Sequence, residues 1–372
     1  MRVLIIGSGG REHAIAWKLK QSPEIEALYC APGNAGISTI ANCVNIDNAD
    51  INGIADFAEH NSIDLTVVGP ELPLILGIAD EFMKRGLPLF GPNRAAAELE
   101  GSKIFTKHFL QRHKIPTARY RSVNSMDEVT TVLDSGEIGM PLVIKADGLA
   151  GGKGVLIVNT VEDALRECTK LITDHRLGEA GSKLVLEEFL NGEEVSIFAL
   201  SDGANAIPLV AAQDFKRAFD DDRGPNTGGM GCICPATNLN QESFDWIFDN
   251  IVQPTIDGLA AEDRNYKGIL YCGLMLTNTG PKVLEFNVRL GDPETQAILP
   301  RLESDLLPLL MSVVSGELKQ QKPIWTEETA VSVVLASNGY PSKYQTGHII
   351  KGVESFTFDS EENLFVFHAG TK

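Results

Sequence analysis

The stretch Val283-Leu-Glu-Phe-Asn-Val-Arg-Leu-Gly-Asp-Pro-Glu-Thr-Gln296 decides how the chain is read. It begins as an apolar strand and then sets Glu285, Asn287 and Arg289 at alternate positions. Side chains two apart on a strand share a face, so a carboxylate, an amide oxygen and a guanidinium line one wall. Two hard oxygen ligands suit Mg²⁺, which is held by carboxylates together with substrate phosphates. The arginine beside them suits a phosphate. The pattern reads as a nucleoside triphosphate site built without a P-loop. A sheet edge carrying a surface ion pair is the plainer alternative, and the Gly291-Asp-Pro-Glu294 that follows at once weighs against it.

Composition narrows the field. At 372 residues the chain has room for two or three domains and a large core. An apolar share of 43% and a charged share of 22% are ordinary for a globular protein. A net charge of −18 argues against generic binding to nucleic acid or anionic membrane, which want basic patches. It leaves room for a locally basic pocket that takes phosphorylated metabolites. The six cysteines form no CxxC, and Cys232-Ile-Cys234 is too tight for a zinc knuckle. Scattered thiols without a secretory segment point to a reducing cytoplasm. No run approaches the ~20 apolar residues of a membrane span.

Short apolar runs alternate with amphipathic stretches through the first hundred residues. Residues 3–7, 27–31, 65–69 and 88–90 read as strands, and 11–21, 51–60 and 74–85 as helices. That alternation indicates βαβ units on a parallel sheet, where ligands bind beyond the carboxyl ends of the strands. Gly7-Ser-Gly-Gly10, Ala31-Pro-Gly-Asn-Ala-Gly36 and Gly69-Pro-Glu71 fall at those ends. Residues 118–190 read as a small α+β lid, with strands at 142–145, 155–158 and 184–187 and helices at 127–133 and 161–172. Longer strands, a second glycine-rich loop and a helix over 243–260 come next. Strands at 331–336 and 364–367 suggest a further small domain.

Gly7-Ser-Gly-Gly-Arg-Glu12 falls short of the dinucleotide pattern GxGxxG, because Glu12 stands where the third glycine belongs. What remains is a tight turn into a helix N-terminus, with N–H groups for a phosphate or ribose phosphate and Arg11 beside them. A purely structural turn and nicotinamide binding are the alternatives. Lys145-Ala-Asp-Gly-Leu-Ala-Gly-Gly-Lys-Gly154 is no Walker A either, since three residues separate Gly148 from Gly152 and Gly154 takes the hydroxyl position. It reads as a flap whose backbone at Gly151, Gly152, Lys153 and Gly154 folds over phosphates. Lys145 enters from the strand before it, and Lys103 in Gly101-Ser-Lys-Ile-Phe-Thr-Lys107 is a second phosphate candidate. Leu184-Val-Leu-Glu-Glu-Phe-Leu190 runs into Asn191-Gly192 and Glu193-Glu194, either a plain strand end or a hinge whose backbone meets an adenine edge while Glu194 reaches ribose. Gly224-Pro-Asn-Thr-Gly-Gly-Met-Gly231 carries four glycines in eight residues, which implies close ligand approach or unusual backbone. A linker is the bland alternative there. Upstream, Gln213-Asp-Phe-Lys-Arg217 supplies charge of both signs. No Ser-His-Asp or Cys-His pairing is evident, and the seven histidines lie in unrelated contexts.

Taken in order behind a βαβ domain, the segments at 101–107, 143–154, 187–194, 224–231 and 285–294 resemble the ATP-grasp ligases. More narrowly, they are similar to the glycinamide ribonucleotide synthetase family of purine biosynthesis, and the likeness runs from residue 1 to 372. The resemblance implies an α/β chain. An N-terminal parallel-sheet, Rossmann-like domain (1–100) would bind 5-phosphoribosylamine, and an ATP-grasp central domain (101–117 and 191–325) would carry an α+β lid (118–190). A partial C-terminal domain (326–372) would follow. In the implied reaction the glycine carboxylate takes the γ-phosphate of ATP, giving glycyl phosphate and ADP. The amine of phosphoribosylamine then displaces phosphate.

On this resemblance Glu285 and Asn287 hold Mg²⁺ or Mn²⁺, while Lys103, Lys145 and Arg289 contact the ATP phosphates. Glu187 and Leu190 meet adenine through their backbone, and Glu194 meets the ribose. Gly9, Gly10, Arg11 and Glu71 cradle phosphoribosylamine. Asn226, Thr227 and Gly228 face glycine and the attacking amine, together with Asp214 and Asp292; Arg289, Asp292 and Asp214 carry the catalytic roles. The expected protein is a cytoplasmic monomer or homodimer acting on glycine, phosphoribosylamine and ATP, with neither nucleic acid nor membrane as partner. The absence of an acid in Gly273-Leu-Met-Leu-Thr277 matches the narrower family, whereas Phe215 replaces its usual histidine. The family continues past Lys372 with a glycine-rich strand and a helix, so exposed apolar surface is expected near that end. Two rivals are another ATP-grasp purine ligase or carboxylase, against which residues 224–231 argue, and a nucleotide-binding module without turnover.

Overall fold

Val3, Leu4, Ile5 and Ile6 are wholly buried in β1 (Arg2–Gly7), as a strand covered on both faces requires. β1 lies at the centre of a parallel sheet with β2 (Ala27–Pro32), β3 (Asn42–Cys43), β4 (Leu65–Val68) and β5 (Leu89–Phe90), in the order β3-β2-β1-β4-β5. The computed structural model describes residues 1–149, 154–221, 223–353 and 363–372. Helices α1 (Gly10–Leu19) and α2 (Ile51–His60) connect strands of this sheet. The single helix expected over 74–85 is two, α3 (Glu71–Leu76) and α4 (Ile78–Arg85). Gly77 separates them at φ 95, a left-handed C-cap that glycine adopts without steric cost.

Helices α5 (Arg94–Gly101) and α6 (Lys103–Arg112) lead out of the parallel sheet. Asn93 caps the first and Ser102 the second, through side-chain oxygens that accept from Ala96 and Phe105 N–H groups. Residues 118–190, expected as a lid, contain an antiparallel sheet of β6 (Tyr120–Val123), β7 (Leu142–Ala146), β8 (Val155–Val158) and β9 (Leu184–Glu188), ordered β6-β9-β7-β8. Helices α7 (Met126–Ser135) and α8 (Val161–Ile172) pack on it around Val129, Ile144, Ala164 and Leu186. This apolar cluster is separate from the two that join the N-terminal sheet to the central domain, which marks the lid as its own packing unit.

The central domain holds β10 (Glu193–Asp202), β11 (Ala206–Pro208), β12 (Gln213–Phe219), β13 (Arg223–Cys234), β14 (Lys267–Thr277) and β15 (Gly280–Asn287). One antiparallel sheet runs β11-β10-β14-β15; a second is β12-β13-β16, closed by β16 (Ala330–Val333). Residues 224–231, expected as a loop, therefore lie within a strand. Their glycines serve close backbone packing instead: a Cβ on Gly229 (φ +132) would collide with Pro293, and one on Gly231 would lie 2.6 Å from the Ser332 carbonyl oxygen.

The helix expected over 243–260 is α9 (Gln241–Ile247), a π-helical turn (Phe248–Val252) and α10 (Gln253–Ala261) in succession. The widened turn sits just before Pro254, whose ring would clash with the carbonyl of the preceding turn in a regular helix. Two further helices, α11 (Thr295–Arg301) and α12 (Leu306–Ser315), pack against α1 and β10. Among the described residues no strand is assigned to 364–367, and Phe365 and Phe367 lay their rings against Trp17 of α1. Val331, Val333 and Leu335 stand exposed.

Candidate active site

Between α6, the lid and β15 lies a cleft of about 240 Å³. Glu285 and Asn287 enter it from alternate positions of β15, opposite Gly273 and Tyr271 of β14. Burial would drive the Glu285 carboxyl up, but the ammonium groups of Lys216, Lys145 and Lys103, with Arg289, hold it below its ordinary value. An ionised carboxylate beside an amide oxygen is a hard donor set open to phosphate oxygens, which fits a divalent cation shared with a nucleotide. Among the described residues no cluster of three or more His, Cys, Asp or Glu side chains forms an all-protein metal cage.

Lys103 begins α6 and donates to the Gly148 carbonyl oxygen at 3.1 Å. Burial lowers its pKa. Lys145, on β7, donates to the Leu284 carbonyl oxygen at 2.9 Å and pairs with Glu187 at 3.2 Å. Both lysines line the cleft with Gly154, while Gly151, Gly152 and Lys153 lie outside the described residues. Glu187 is 2% exposed and lines the cleft through a buried carboxylate. Leu190 and Glu194 stand outside the lining; Glu194 pairs with Lys216 at 2.9 Å.

Arg289 reaches the cleft, but its guanidinium faces carboxylates. It bonds Glu71 at 3.2 Å and Glu100 at 2.9 Å. Burial opposes its charge, and Glu100, Glu71 and Glu294 outweigh burial and raise its pKa. Arg11 is likewise turned inward, 6% exposed, with Nε on Glu12 at 2.5 Å and Nη1 on the Leu290 carbonyl oxygen at 3.1 Å. Glu12 in turn accepts from the Gly9 N–H at 2.6 Å. A Cβ on Gly7, Gly9 or Gly69 would crowd the Glu12 side chain, so these glycines make room for it. Gly9, Gly10 and Arg11 flank the cleft from the α1 side, with Gly10 against Gln296, while Glu71 lines it.

Asp214, Thr227, Gly228 and Asp292 line the far wall, whereas Asn226 pairs with Arg217 in the β12–β13 hairpin outside it. Burial raises the Asp214 pKa, against the pull of Lys216. Glu294 is pushed up to about 7 by burial and then by Asp214. Two carboxyls this close to each other in a buried site disfavour double ionisation. Phe215, by contrast, points out to solvent.

Lys107, Lys216, Glu100, Tyr271 and Glu294 also line the cleft and were not evident as site residues in the sequence. Two signals were available: Lys107 follows Lys103 by one helical turn, and Lys216 follows Asp214 by two on a strand. A separate apolar cavity under the parallel sheet, lined by Ile15, Val67, Phe90 and Leu310 among others, is about 30 Å³ and has room for no substrate.

Residues 1–100 match the phosphoribosylglycinamide synthetase N domain, and residues 101–295 match the ATP-grasp (A) domain of the same family. The phosphoribosylamine–glycine ligase of Halalkalibacterium halodurans is 47% identical over 372 residues, covering 100% of this chain and 85% of that protein. That of Vibrio vulnificus is 47% identical over 375 residues, covering 100% and 86%. The crystal structure of the Thermotoga maritima phosphoribosylamine–glycine ligase superposes with a TM-score of 0.78 at 34% identity, over 93% of this chain and 83% of that one. The chain belongs to the phosphoribosylglycinamide synthetase family.

Proposed function

We propose that the chain joins glycine to 5-phosphoribosylamine at the expense of ATP, giving glycinamide ribonucleotide, ADP and phosphate. The observation that carries the reading is Glu285 kept ionised against Lys103, Lys145 and Lys216 in one cleft, in a chain 47% identical to ligases so named. Phosphoryl transfer asks for positioning and charge neutralisation rather than a protein nucleophile. Lys103 and Lys145 are assigned to the phosphates, and the backbone of Glu187 and Leu190 with Glu194 to the adenosine. Glu285 and Asn287 would hold Mg²⁺ or Mn²⁺, which when bound neutralises charge on the phosphate oxygens.

Glycine is assigned to the wall of Asp214, Thr227, Gly228 and Asp292, with Asn226 at its margin. Its carboxylate attacks the γ-phosphorus, forming glycyl phosphate and releasing ADP. Phosphoribosylamine, cradled by Gly9, Gly10, Arg11 and Glu71, attacks the acyl carbon; the C–O bond to phosphate breaks as the C–N bond forms. The amine sheds a proton in that step, and Glu294, pushed up to about 7 by burial and then by Asp214, is the assigned acceptor. Arg289, held between Glu71 and Glu100, sits where the N-terminal and central domains meet and stabilises the charge that develops there. Closure of the lid keeps water from the acyl phosphate. ADP release measured with each substrate withheld in turn tests the reading. Formation that needs both glycine and phosphoribosylamine is expected; steady turnover without glycine contradicts it.

A further inference from the structure

Lys107 has no role in the assignments above, yet it is among the most constrained charges in the molecule. It is 2% exposed. Its Nζ lies 3.0 Å from Glu187 Oε2 and donates to Thr117 Oγ1 at 2.7 Å. Thr117 in turn donates to the Val283 carbonyl oxygen at 2.7 Å, on the strand that carries Glu285. Lys145 approaches the same Glu187 oxygen from β7, at 3.2 Å. One buried carboxylate oxygen therefore serves two ammonium groups, and the other, Oε1, is buried without a hydrogen-bond partner among the described residues.

The two lysines are not equivalent. Lys107 is tied to Glu187, to Thr117 and to the face of Tyr120, whose ring centroid is 5.9 Å away. Lys145 has Glu187 and one backbone carbonyl. We propose that Lys107 is a positioning residue for the nucleotide: it stays fixed on Glu187 as a second counter-ion, so that Lys145 can leave Glu187 for the phosphates of ATP. The inference rests on the assignment of Lys145 to those phosphates.

Removing one partner from a buried ion pair strands the other charge, and the penalty is severe. Were Lys145 the sole counter-ion of Glu187, every nucleotide it grasped would exact that penalty. With Lys107 fixed on Oε2, the carboxylate keeps a partner while Lys145 moves. Mutual repulsion between the ammonium groups also loosens the less constrained of the two. Burial, and then the charge of Lys145, lower Lys107 to about 8 against the attraction of Glu187 and Glu188, in keeping with that crowding.

The test is a charge-balance cycle on the full chain: K107M, K107R, E187Q, K107M/E187Q and K145M, with ATP affinity by calorimetry and KM and kcat from ADP release. K107M should weaken ATP about tenfold or more, mainly in Kd and KM. K107R should recover most of that loss. In the E187Q background, where no carboxylate needs a counter-charge, adding K107M should change ATP affinity by no more than about twofold. That arm also covers the case in which K107M alone does not fold. Normal ATP affinity in folded K107M, or a further tenfold loss on adding K107M to E187Q, overturns the proposal. Unchanged affinity in K145M would remove the phosphate assignment and this proposal with it. A loss in K145M without one in K107M refutes the role of Lys107 alone.

Discussion

At the turn into α1 the Glu12 carboxylate is bound by its own neighbours, the Gly9 N–H at 2.6 Å and Arg11 at 2.5 Å, and glycines at 7, 9 and 69 clear space for it. At the floor of the cleft Glu285 is held by Lys103, Lys145, Lys216 and Arg289, which arrive from α6, β7, β12 and the segment after β15. The first carboxylate is satisfied internally and sets the shape of a turn. The second faces an excess of positive charge with no direct ion pair among those described, so its field is left for a ligand. A local carboxylate shapes the scaffold, and a carboxylate assembled from remote segments makes a site.

Glu285→Gln breaks the comparison on the cleft side and carries the largest expected effect. Cation-dependent ADP formation should fall about a thousandfold, while the melting temperature stays near that of the parent. Near-parental rates would remove Glu285 from the site.

His13, also in α1, tests the scaffold side through pH. It is buried against His368, and burial followed by His368 lowers it to about 4 from 6.5. Between those values the unfolded chain binds the extra proton, so stability is fully present above pH 6.5 and is lost as pH falls toward 4. The loss is on the order of 3 kcal/mol. Denaturant midpoints at pH 7.5 and 5 should diverge in the parent and move closer together in His13→Phe. An equal pH dependence in both proteins would show that His13 is not the titrating group.

Gly7→Ala is the mildest of the three in expected effect. At φ +127 its Cβ would lie 2.6 Å from Glu12 Cγ, so strain and a displaced cap should cost about 2 kcal/mol. Thermal melting reports it. ATP affinity should not change, because the defect lies in the turn rather than in the cleft.

What was legible in the sequence follows the same division. The parallel sheet, the glycine turn at 7–10 and the Glu285–Asn287 alternation depend on neighbours a few residues apart, and they stand where periodicity places them. Residues 224–231 misled because four glycines look like a loop when their partners, Pro293 and Ser332, are far along the chain. Arg11 looked like a free phosphate ligand, and only the fold brings it to the Leu290 carbonyl oxygen. Lys107 acquires meaning from Glu187, eighty residues along the chain, which a one-dimensional pattern does not pair with it. The aromatic contacts of residues 365 and 367 with Trp17 are of the same kind, since only the fold brings those rings to α1.

Ligation through an acyl phosphate leaves an isotopic record. With glycine labelled by ¹⁸O in its carboxylate, the oxygen that attacks the γ-phosphorus departs with phosphate when the amine displaces it. Mass analysis of the inorganic phosphate from one complete turnover should find one ¹⁸O per phosphate, with the other retained in the amide. Unlabelled phosphate formed alongside labelled product would contradict the account.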